Sequence, residues 1–268
     1  MWVEALLLLL MFAAVLYDWS QRCRYLMRQA VLYVGGLVVG LCVIPLGLRR
    51  PCDPRNSLLF TRPLRAISWL LGIEWQVLGG ERLRADTACV VVANHRDVLD
   101  VLGMVELWPR FGRLVTVMKR EIWLGLPFAL GAWLCGQIFI DRSNPARARD
   151  SLSHAQKRMC DERLAVWFFP EGTRNRGAGL LPFKKGAFHM AVAAQVPVVP
   201  IVFGPYQHFL EPRQWRFEPG RAMVQALEPV STAGLTADDV PRLLEQVQRS
   251  MTEVYDHLSE ELLSKKAA

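Results

Sequence analysis

From about residue 57 onward, short uninterrupted apolar runs alternate with amphipathic stretches, and this alternation leaves few folds open. The runs are rich in valine, isoleucine and phenylalanine, which is typical of strands covered by helices on both faces. The pattern predicts an α/β fold with a central, mostly buried β-sheet flanked by helices. The predicted strands cover residues 88–93, 114–117, 137–140, 164–169, 198–203 and 222–227, and the predicted helices include residues 147–162, 184–194 and 238–264.

Two longer apolar runs precede this region, over residues 5–17 and 30–48. As helices they would be roughly 20 Å and roughly 28 Å long, against a hydrocarbon core of about 30 Å. The first run is not typical of a cleaved signal peptide, because Glu4 stands where basic residues are expected. We therefore expect residues 1–56 to form an N-terminal hydrophobic helical membrane anchor and residues 57–268 to form the α/β domain.

The number of membrane crossings stays open at the sequence level. Arginines flank the second run on both sides, so the distribution of charge does not orient it. The two runs are compatible with a transmembrane hairpin or with an anchor that enters a single leaflet. A third apolar run, residues 122–140, contains proline, glycine and glutamine, and we expect a buried helix followed by a core strand. The flanking arginines are Arg22, Arg24, Arg28, Arg49, Arg50 and Arg55.

The charge balance narrows the class of partner. The net charge is +7 and 52% of the residues are hydrophobic, while no nucleic-acid-binding motif is present. A membrane surface or an anionic substrate is therefore favoured over nucleic acid. The six cysteines lack C-x-x-C spacing, which indicates reduced structural thiols. No metal site is expected, because the histidines outside the first motif below show no ligand spacing.

The first chemical motif is ANHRDVLD, which begins at the end of a predicted strand. His95 and Asp100 would lie about 140° apart on one continuous helix. They meet only if His95 lies in the turn and Asp100 lies on the following helix. The carboxylate would then hold one imidazole nitrogen and leave the other as a general base. The alternatives are a histidine that caps the helix, and Asp97 as the partner of the histidine.

The second motif, FPEGTRNRG, also follows a predicted strand. Gly172 permits close backbone approach, and the guanidinium of Arg174 can form a forked contact with phosphate. Glu171 and Thr173 project from the same turn. A solvated surface turn is the alternative. A further charged cluster surrounds the third apolar run, and its members are candidate anion ligands or structural ion pairs: Lys119, Arg120, Glu121, Asp141 and Arg142.

Four blocks together resemble the 1-acylglycerol-3-phosphate acyltransferases, the lysophosphatidic acid acyltransferase family, and especially its animal endoplasmic-reticulum type. They are NHRDVLD (94–100), GQIFIDR (136–142), FPEGTR (169–174) and VPVVPIVF (196–203), and their order and spacing carry the resemblance. The resemblance covers roughly residues 30–258. It implies the glycerolipid acyltransferase fold and a catalytic pair of His95 and Asp100. It also implies substrate contacts at Arg142, Glu171, Gly172, Thr173 and Arg174, and leaves Lys119 and Arg120 as weaker candidates.

The resemblance also implies the reaction. An acyl group would pass from acyl-CoA to the sn-2 hydroxyl of lysophosphatidic acid and give phosphatidic acid, with His95 as general base. Acyl-CoA would be a co-substrate and no cofactor would be needed. The enzyme would lie in the endoplasmic-reticulum membrane, and the reduced cysteines favour a catalytic face towards the cytosol while the orientation stays open. Relatives often carry small polar residues where this chain has Arg96 and Asp97, which leaves the acceptor open. The alternatives are a different acceptor, such as glycerol 3-phosphate or another lysophospholipid, and a catalytically silent membrane scaffold.

Overall fold

The computed structural model of the protein describes residues 2–121, 128–141, 143 and 145–264. Its helices are α1 (Trp2–Trp19), α2 (Gln21–Gly47), α3 (Thr61–Leu70), α4 (Asp100–Phe111), α5 (Phe128–Leu134), α6 (Pro145–Glu162), α7 (Gly186–Ala194) and α8 (Val240–Ser264). Its strands are β1 (Ile73–Leu78), β2 (Cys89–Ala93), β3 (Leu114–Lys119), β4 (Ile138–Ile140), β5 (Ala165–Phe168), β6 (Val198–Phe203), β7 (Leu210–Glu211), β8 (Arg216–Phe217) and β9 (Gly220–Ala226).

Within the described residues, seven strands form one mostly parallel sheet in the order β1-β9-β6-β2-β5-β3-β4. The strands from β6 to β4 are parallel to one another. β9 pairs antiparallel with β6, and β1 runs parallel to β9, so these two strands run in the opposite direction. The carboxyl ends of β2, β5, β3 and β4 consequently lie side by side at one edge of the sheet.

Helices cover both faces of the sheet and produce two hydrophobic cores. One core packs the sheet against α3 and α4, and the other packs it against α6, α7 and α8. Neighbouring residues of β2 contribute to opposite cores: Val91 belongs to the first and Val90 to the second, and neither is exposed to solvent. Because both faces of such a strand are buried, its sequence is a continuous apolar run instead of an alternating one.

All six predicted strands are present, and the predicted α/β class is confirmed. The sequence pattern missed β1, since it is the outermost strand of the sheet and is half-buried along most of its length. In the third apolar run, residues 128–140 form the expected helix and core strand as α5 and β4, while residues 122–127 lie outside the described residues.

The N-terminal segment forms two helices, and α2 is the one described helix that is long and apolar enough to cross a membrane. α2 also packs against α3, α5 and β8 of the α/β domain. Arg28 was expected in the basic flank before the second apolar run, but it is buried within α2. Its guanidinium donates to the carbonyl oxygen of Leu71 and to the hydroxyl of Tyr17, and lies 5.0 Å from the ring centroid of Phe217. The division into two domains near residue 56 stays a prediction.

Candidate active site

The carboxyl ends of four neighbouring parallel strands gather the predicted site residues at one edge of the sheet. His95 follows β2, Glu171 follows β5, Lys119 ends β3 and Asp141 follows β4. In α/β sheets this edge is where ligands bind. Arg142, the predicted phosphate contact next to Asp141, lies outside the described residues.

The turn between β2 and α4 is fixed by an asparagine that bonds to the neighbouring strand. The side-chain amide of Asn94 donates to the carbonyl oxygen of Phe203 at 2.9 Å, and its oxygen accepts from the Phe203 N–H at 2.7 Å. Asn94 is completely buried. Because both of its amide functions are satisfied by β6, the following residue, His95, leaves the sheet at a defined position.

His95 and Asp100 form the predicted pair, with His95 in the turn and Asp100 as the first residue of α4. The His95 Nδ1 atom lies 2.7 Å from Asp100 Oδ2. The Arg96 and Asp97 backbone N–H groups donate to the same oxygen, and the hydroxyl of Tyr206 donates to Oδ1 at 2.8 Å. A carboxylate that accepts from Nδ1–H leaves Nε2 as the basic nitrogen of the ring. The N-terminus of α4 also favours the negative charge of Asp100.

The imidazole of His95 is positioned by a neighbouring aromatic ring and remains accessible. The ring of Phe169 stacks on it with centroids 4.1 Å apart and an interplanar angle of 21°. The side chain of His95 is 19% exposed, whereas that of Asp100 is fully buried. An approaching hydroxyl group can therefore reach the histidine but not the carboxylate behind it.

Glu171 connects the second motif to the first, although its side chain points into the protein. Its Oε1 atom accepts from the His95 backbone N–H at 2.7 Å, and Oε2 accepts from the Leu181 N–H at 2.9 Å. Burial raises the pKa of Glu171 above its ordinary value, and these two hydrogen bonds oppose that effect. The carboxylate shapes the loop formed by residues 171–181, called the EGTR loop below. Its predicted role as a direct substrate contact stays a prediction.

The remaining residues of the second motif lie on the surface of this loop. Gly172 has φ of +75°, a backbone conformation that favours glycine, and a Cβ atom there would also displace the flexible side chain of Lys184. The side chains of Thr173 and Arg174 are exposed beside it. Their position permits contact with a bound anion, and their predicted role as phosphate ligands stays a prediction.

The charged cluster at β3 and β4 is only partly available to an anion. Lys119 is exposed at the end of β3. Arg120 lies 3.7 Å from Asp141, which Arg147 also approaches to 3.8 Å. Hydrogen bonds from Ser143, with smaller contributions from both arginines, lower the pKa of Asp141. Lys119 and Arg120 thus both lie on the surface, and Arg120 additionally forms an ion pair with Asp141.

Two features of the site could not be assigned from the sequence. Tyr206 is completely buried against Asp100, and burial together with the charge of Asp100 raises its pKa well above the ordinary value, so it remains a donor. Asp97, the alternative partner of His95, instead accepts from Arg176 Nε at 2.6 Å. The one available signal for Tyr206 was its position just after β6, at the same edge of the sheet.

Comparison with known proteins identifies the family of the chain. The Acyltransferase family model matches residues 74–204. Human 1-acyl-sn-glycerol-3-phosphate acyltransferase alpha is 40% identical over 95% of this chain and 91% of its own length. The human beta enzyme is 40% identical over 73% of this chain and 70% of its own length. The crystal structure of the lysophosphatidic acid acyltransferase PlsC from Thermotoga maritima has a TM-score of 0.69 at 22% identity, covering 88% of this chain and 98% of that one.

The relatives at 40% identity, together with the match to the Acyltransferase family model, show that the chain is an enzyme of the glycerolipid acyltransferase class. The chain belongs to the 1-acyl-sn-glycerol-3-phosphate acyltransferase family. The similarity to the Thermotoga structure confirms the predicted fold. Acyl transfer to a glycerolipid is consequently the chemistry that the site residues must account for.

Proposed function

We propose that this enzyme transfers an acyl group from acyl-CoA to the sn-2 hydroxyl of lysophosphatidic acid, with His95 as general base and Asp100 as its partner. The proposal rests on the 2.7 Å contact between His95 Nδ1 and the buried carboxylate of Asp100, which three further donors fix in place. This geometry sets the tautomer of the imidazole and directs its basic nitrogen away from the protein interior. The relatives named for the same acceptor supply the substrate class.

The reaction needs one base and two correctly placed substrates. His95 Nε2 removes the proton from the acceptor hydroxyl as that oxygen attacks the thioester carbon, forming a C–O bond. The C–S bond breaks and the CoA thiolate leaves, taking up a proton from the imidazolium. Asp100 stabilises the imidazolium formed between these steps. No covalent enzyme intermediate and no cofactor are required, and the main contribution of the protein is positioning.

The phosphate of the acceptor is the anion that the basic edge of the site would bind. A phosphate monoester carries close to two negative charges at neutral pH. We assign it to Thr173 and Arg174 on the exposed side of the EGTR loop, with Lys119 and Arg142 as further candidates. Both the acceptor and the product are membrane lipids. We place the enzyme in the endoplasmic-reticulum membrane with this edge facing the cytosol, the compartment of the acyl-CoA pool.

Steady-state assays of purified variants in mixed micelles test the base. Thiol release from acyl-CoA should require lysophosphatidic acid, and His95→Ala should lower turnover by at least about 100-fold. Asp100→Asn should also be severe, since an amide cannot stabilise the imidazolium. His257→Ala, on the exposed surface of α8, is the matched control and should retain wild-type turnover. Wild-type turnover in His95→Ala would remove His95 from the mechanism.

The same assay distinguishes the acceptor alternatives. Lysophosphatidic acid should give a higher kcat/KM than lysophosphatidylcholine or glycerol 3-phosphate. A higher kcat/KM with either of the other acceptors would support acyl transfer but assign a different acceptor to the enzyme. An absence of thiol release with every acceptor would instead support a catalytically silent scaffold.

A further inference from the structure

Two oppositely charged residues lie between His95 and Asp100, and both are buried. Arg96 is 2% exposed and Asp97 is 3% exposed. Charged side chains are rarely buried to this degree unless they are paired. Their backbone N–H groups bind Asp100, but neither side chain is required by the proposed proton transfer. The contacts that they make therefore indicate a separate purpose.

The side chains of both residues contact the EGTR loop. Asp97 Oδ2 accepts from Arg176 Nε at 2.6 Å. Arg96 donates to the carbonyl oxygen of Gly177 at 2.7 Å, and its guanidinium lies 5.2 Å from the ring centroid of Tyr255 in α8. The turn that carries His95 is thus joined to the EGTR loop by two cationic side chains, one from each segment.

The backbone of His95 is bonded to the same loop at two points. Its N–H donates to Glu171, and its carbonyl oxygen accepts from the Asn175 N–H at 2.7 Å. Only residues 172–174 lie between these two points. The segment with Thr173 and Arg174 is therefore fixed at both ends to the backbone of the proposed base, and Arg176 follows immediately after the second fixed point.

We propose that Asp97 and Arg176 are positioning residues that set the distance between Arg174 and His95 and thereby determine the affinity for the phosphate of the acceptor. The inference rests on the proposed function, since it takes the EGTR loop as the acceptor-phosphate site. The ion pair fixes the direction of the chain after Asn175. Without it, this part of the loop keeps the Asn175–His95 backbone hydrogen bond, the Arg96 contact with Gly177 and the hydrogen bond from Gln207 to the Arg176 carbonyl oxygen, but loses its one ionic contact with the carboxylate of Asp97.

The two partners differ in burial, and this difference gives the pair a distinctive response to substitution. The side chain of Asp97 is 5% exposed, whereas that of Arg176 is 55% exposed. Arg176→Gln leaves a buried carboxylate without its cation, which is a costly defect. Asp97→Asn leaves an arginine that water can solvate. We therefore expect Arg176→Gln to be the more damaging change, and Asp97→Asn to relieve part of its effect when the two are combined.

The test compares full-length Arg176→Gln, Arg176→Lys, Asp97→Asn and the Asp97→Asn/Arg176→Gln double variant in detergent. The control is Arg82→Gln, which breaks a 2.5 Å pair with Glu228, an exposed carboxylate beyond the ends of β1 and β9 and remote from the site. Arg176→Gln should raise KM for lysophosphatidic acid about tenfold, as for other directly coupled contacts. KM for acyl-CoA should change by less than about twofold. The double variant should fall between Arg176→Gln and the wild type.

Backbone hydrogen exchange provides a readout that does not depend on the acceptor. Peptides covering residues 172–181 should exchange faster than in the wild type in both Arg176→Gln and Asp97→Asn, with the larger increase in Arg176→Gln. The strands β2 and β5 should retain wild-type protection. A wild-type enzyme that does not acylate lysophosphatidic acid would end the proposed function, and exchange alone would then decide whether the pair fixes the loop. If Arg176→Gln does not fold, Asp97→Asn and Arg176→Lys decide the matter. Wild-type exchange and unchanged KM in those variants would overturn the inference, as would equal KM increases for both substrates.

Discussion

At the residue scale, the carboxylate of Asp100 is the best-organised group in the site. Four donors converge on it: His95 Nδ1, two backbone N–H groups and the hydroxyl of Tyr206. Three of them bond to the oxygen that contacts the histidine, whereas Tyr206 bonds to the other one. The phenol therefore limits rotation of the carboxylate without competing for the oxygen that His95 uses. This arrangement makes Tyr206 an orienting residue for the pair.

Tyr206→Phe should separate this orienting effect from packing, because the ring is retained and only the hydroxyl is lost. The buried Asp100 Oδ1 atom would lose its donor, so the free energy of unfolding should fall by about 1–3 kcal/mol. Misalignment of the base should lower kcat by up to about 100-fold. Chemical denaturation and steady-state kinetics measure the two effects. A wild-type kcat with reduced stability would show that Tyr206 is purely structural.

The raised pKa of Tyr206 also predicts a dependence of stability on pH. Its folded-state pKa lies above the ordinary value for tyrosine, so the folded protein retains this proton after the unfolded chain has released it. The contribution is complete below about pH 10 and is lost as the pH rises through the folded-state pKa. Denaturation at increasing alkaline pH should therefore show a shallower loss of stability in Tyr206→Phe. Parallel curves for the two proteins would contradict this account.

Arg174 provides the test of phosphate recognition. Its planar guanidinium can form two hydrogen bonds to a phosphate, an arrangement that lysine cannot copy. Arg174→Ala should lower kcat/KM for lysophosphatidic acid by about 30- to several-thousand-fold if the contact is desolvated in the complex, mainly through KM. Arg174→Lys should be impaired as well, and Arg242→Ala on exposed α8 is the control. A defect confined to acyl-CoA would assign Arg174 to the donor.

The sequence could predict the His95–Asp100 contact because it depends on local geometry. A strand end, a turn and a helix start within six residues leave few other arrangements. Tyr206 could not be predicted in the same way, since it lies 106 residues from Asp100 and reaches it only through the order of strands in the sheet. The sequence also could not predict that the Glu171 carboxylate points into the protein. A motif identifies a charged side chain but not the backbone groups that will satisfy it.

At the scale of elements, strands were predictable where both faces are buried and unpredictable where they are not. The run of four residues before Asn94 is completely buried and has only one plausible conformation, whereas β1 has a single strand neighbour and a mixed sequence. The contacts of Arg28 were also unpredictable. The sequence shows only that this arginine lies between two apolar runs, whereas its carbonyl and hydroxyl partners lie on other elements.

Arg28 should therefore connect α2 to the α/β domain instead of anchoring it to lipid headgroups. Arg28→Met keeps much of the apolar length but leaves the carbonyl oxygen of Leu71 without this donor. Hydrogen bonds that involve a charged group contribute about 1.5–3 kcal/mol, so the free energy of unfolding in detergent should fall by that amount. Arg22→Met, on an exposed side of the same helix, is the control. Equal stability of both variants would show that Arg28 does not fix the helix.

At the scale of the whole molecule, one side of α2 packs on the protein, and the other side is not covered by the part of the chain that the structure describes. Near its beginning, Arg24 forms an ion pair with Glu218 at 3.3 Å. Near its end α2 packs against α5, and the side chain of Asn56 donates to the carbonyl oxygens of both Gly47 and Leu134. The helix thus contacts the α/β domain along its length. Its other side exposes apolar residues, including Val34 at 56% and Leu41 at 50%. Burial of such side chains in lipid contributes about 0.8 kcal/mol per methylene and is not screened by salt.

From this geometry we predict an anchor that enters one leaflet instead of a transmembrane hairpin. A helix bound to the domain at both ends cannot cross the bilayer unless the domain accompanies it. The protein should therefore resist extraction by high salt or alkaline carbonate and be released by detergent. A single cysteine at Ser20, between α1 and α2, introduced into a chain whose native cysteines are replaced, should not react with an impermeant maleimide from the lumenal side of sealed microsomes. Lumenal labelling of Ser20→Cys would establish the hairpin, and release by salt alone would show that the apolar side of α2 is covered by protein.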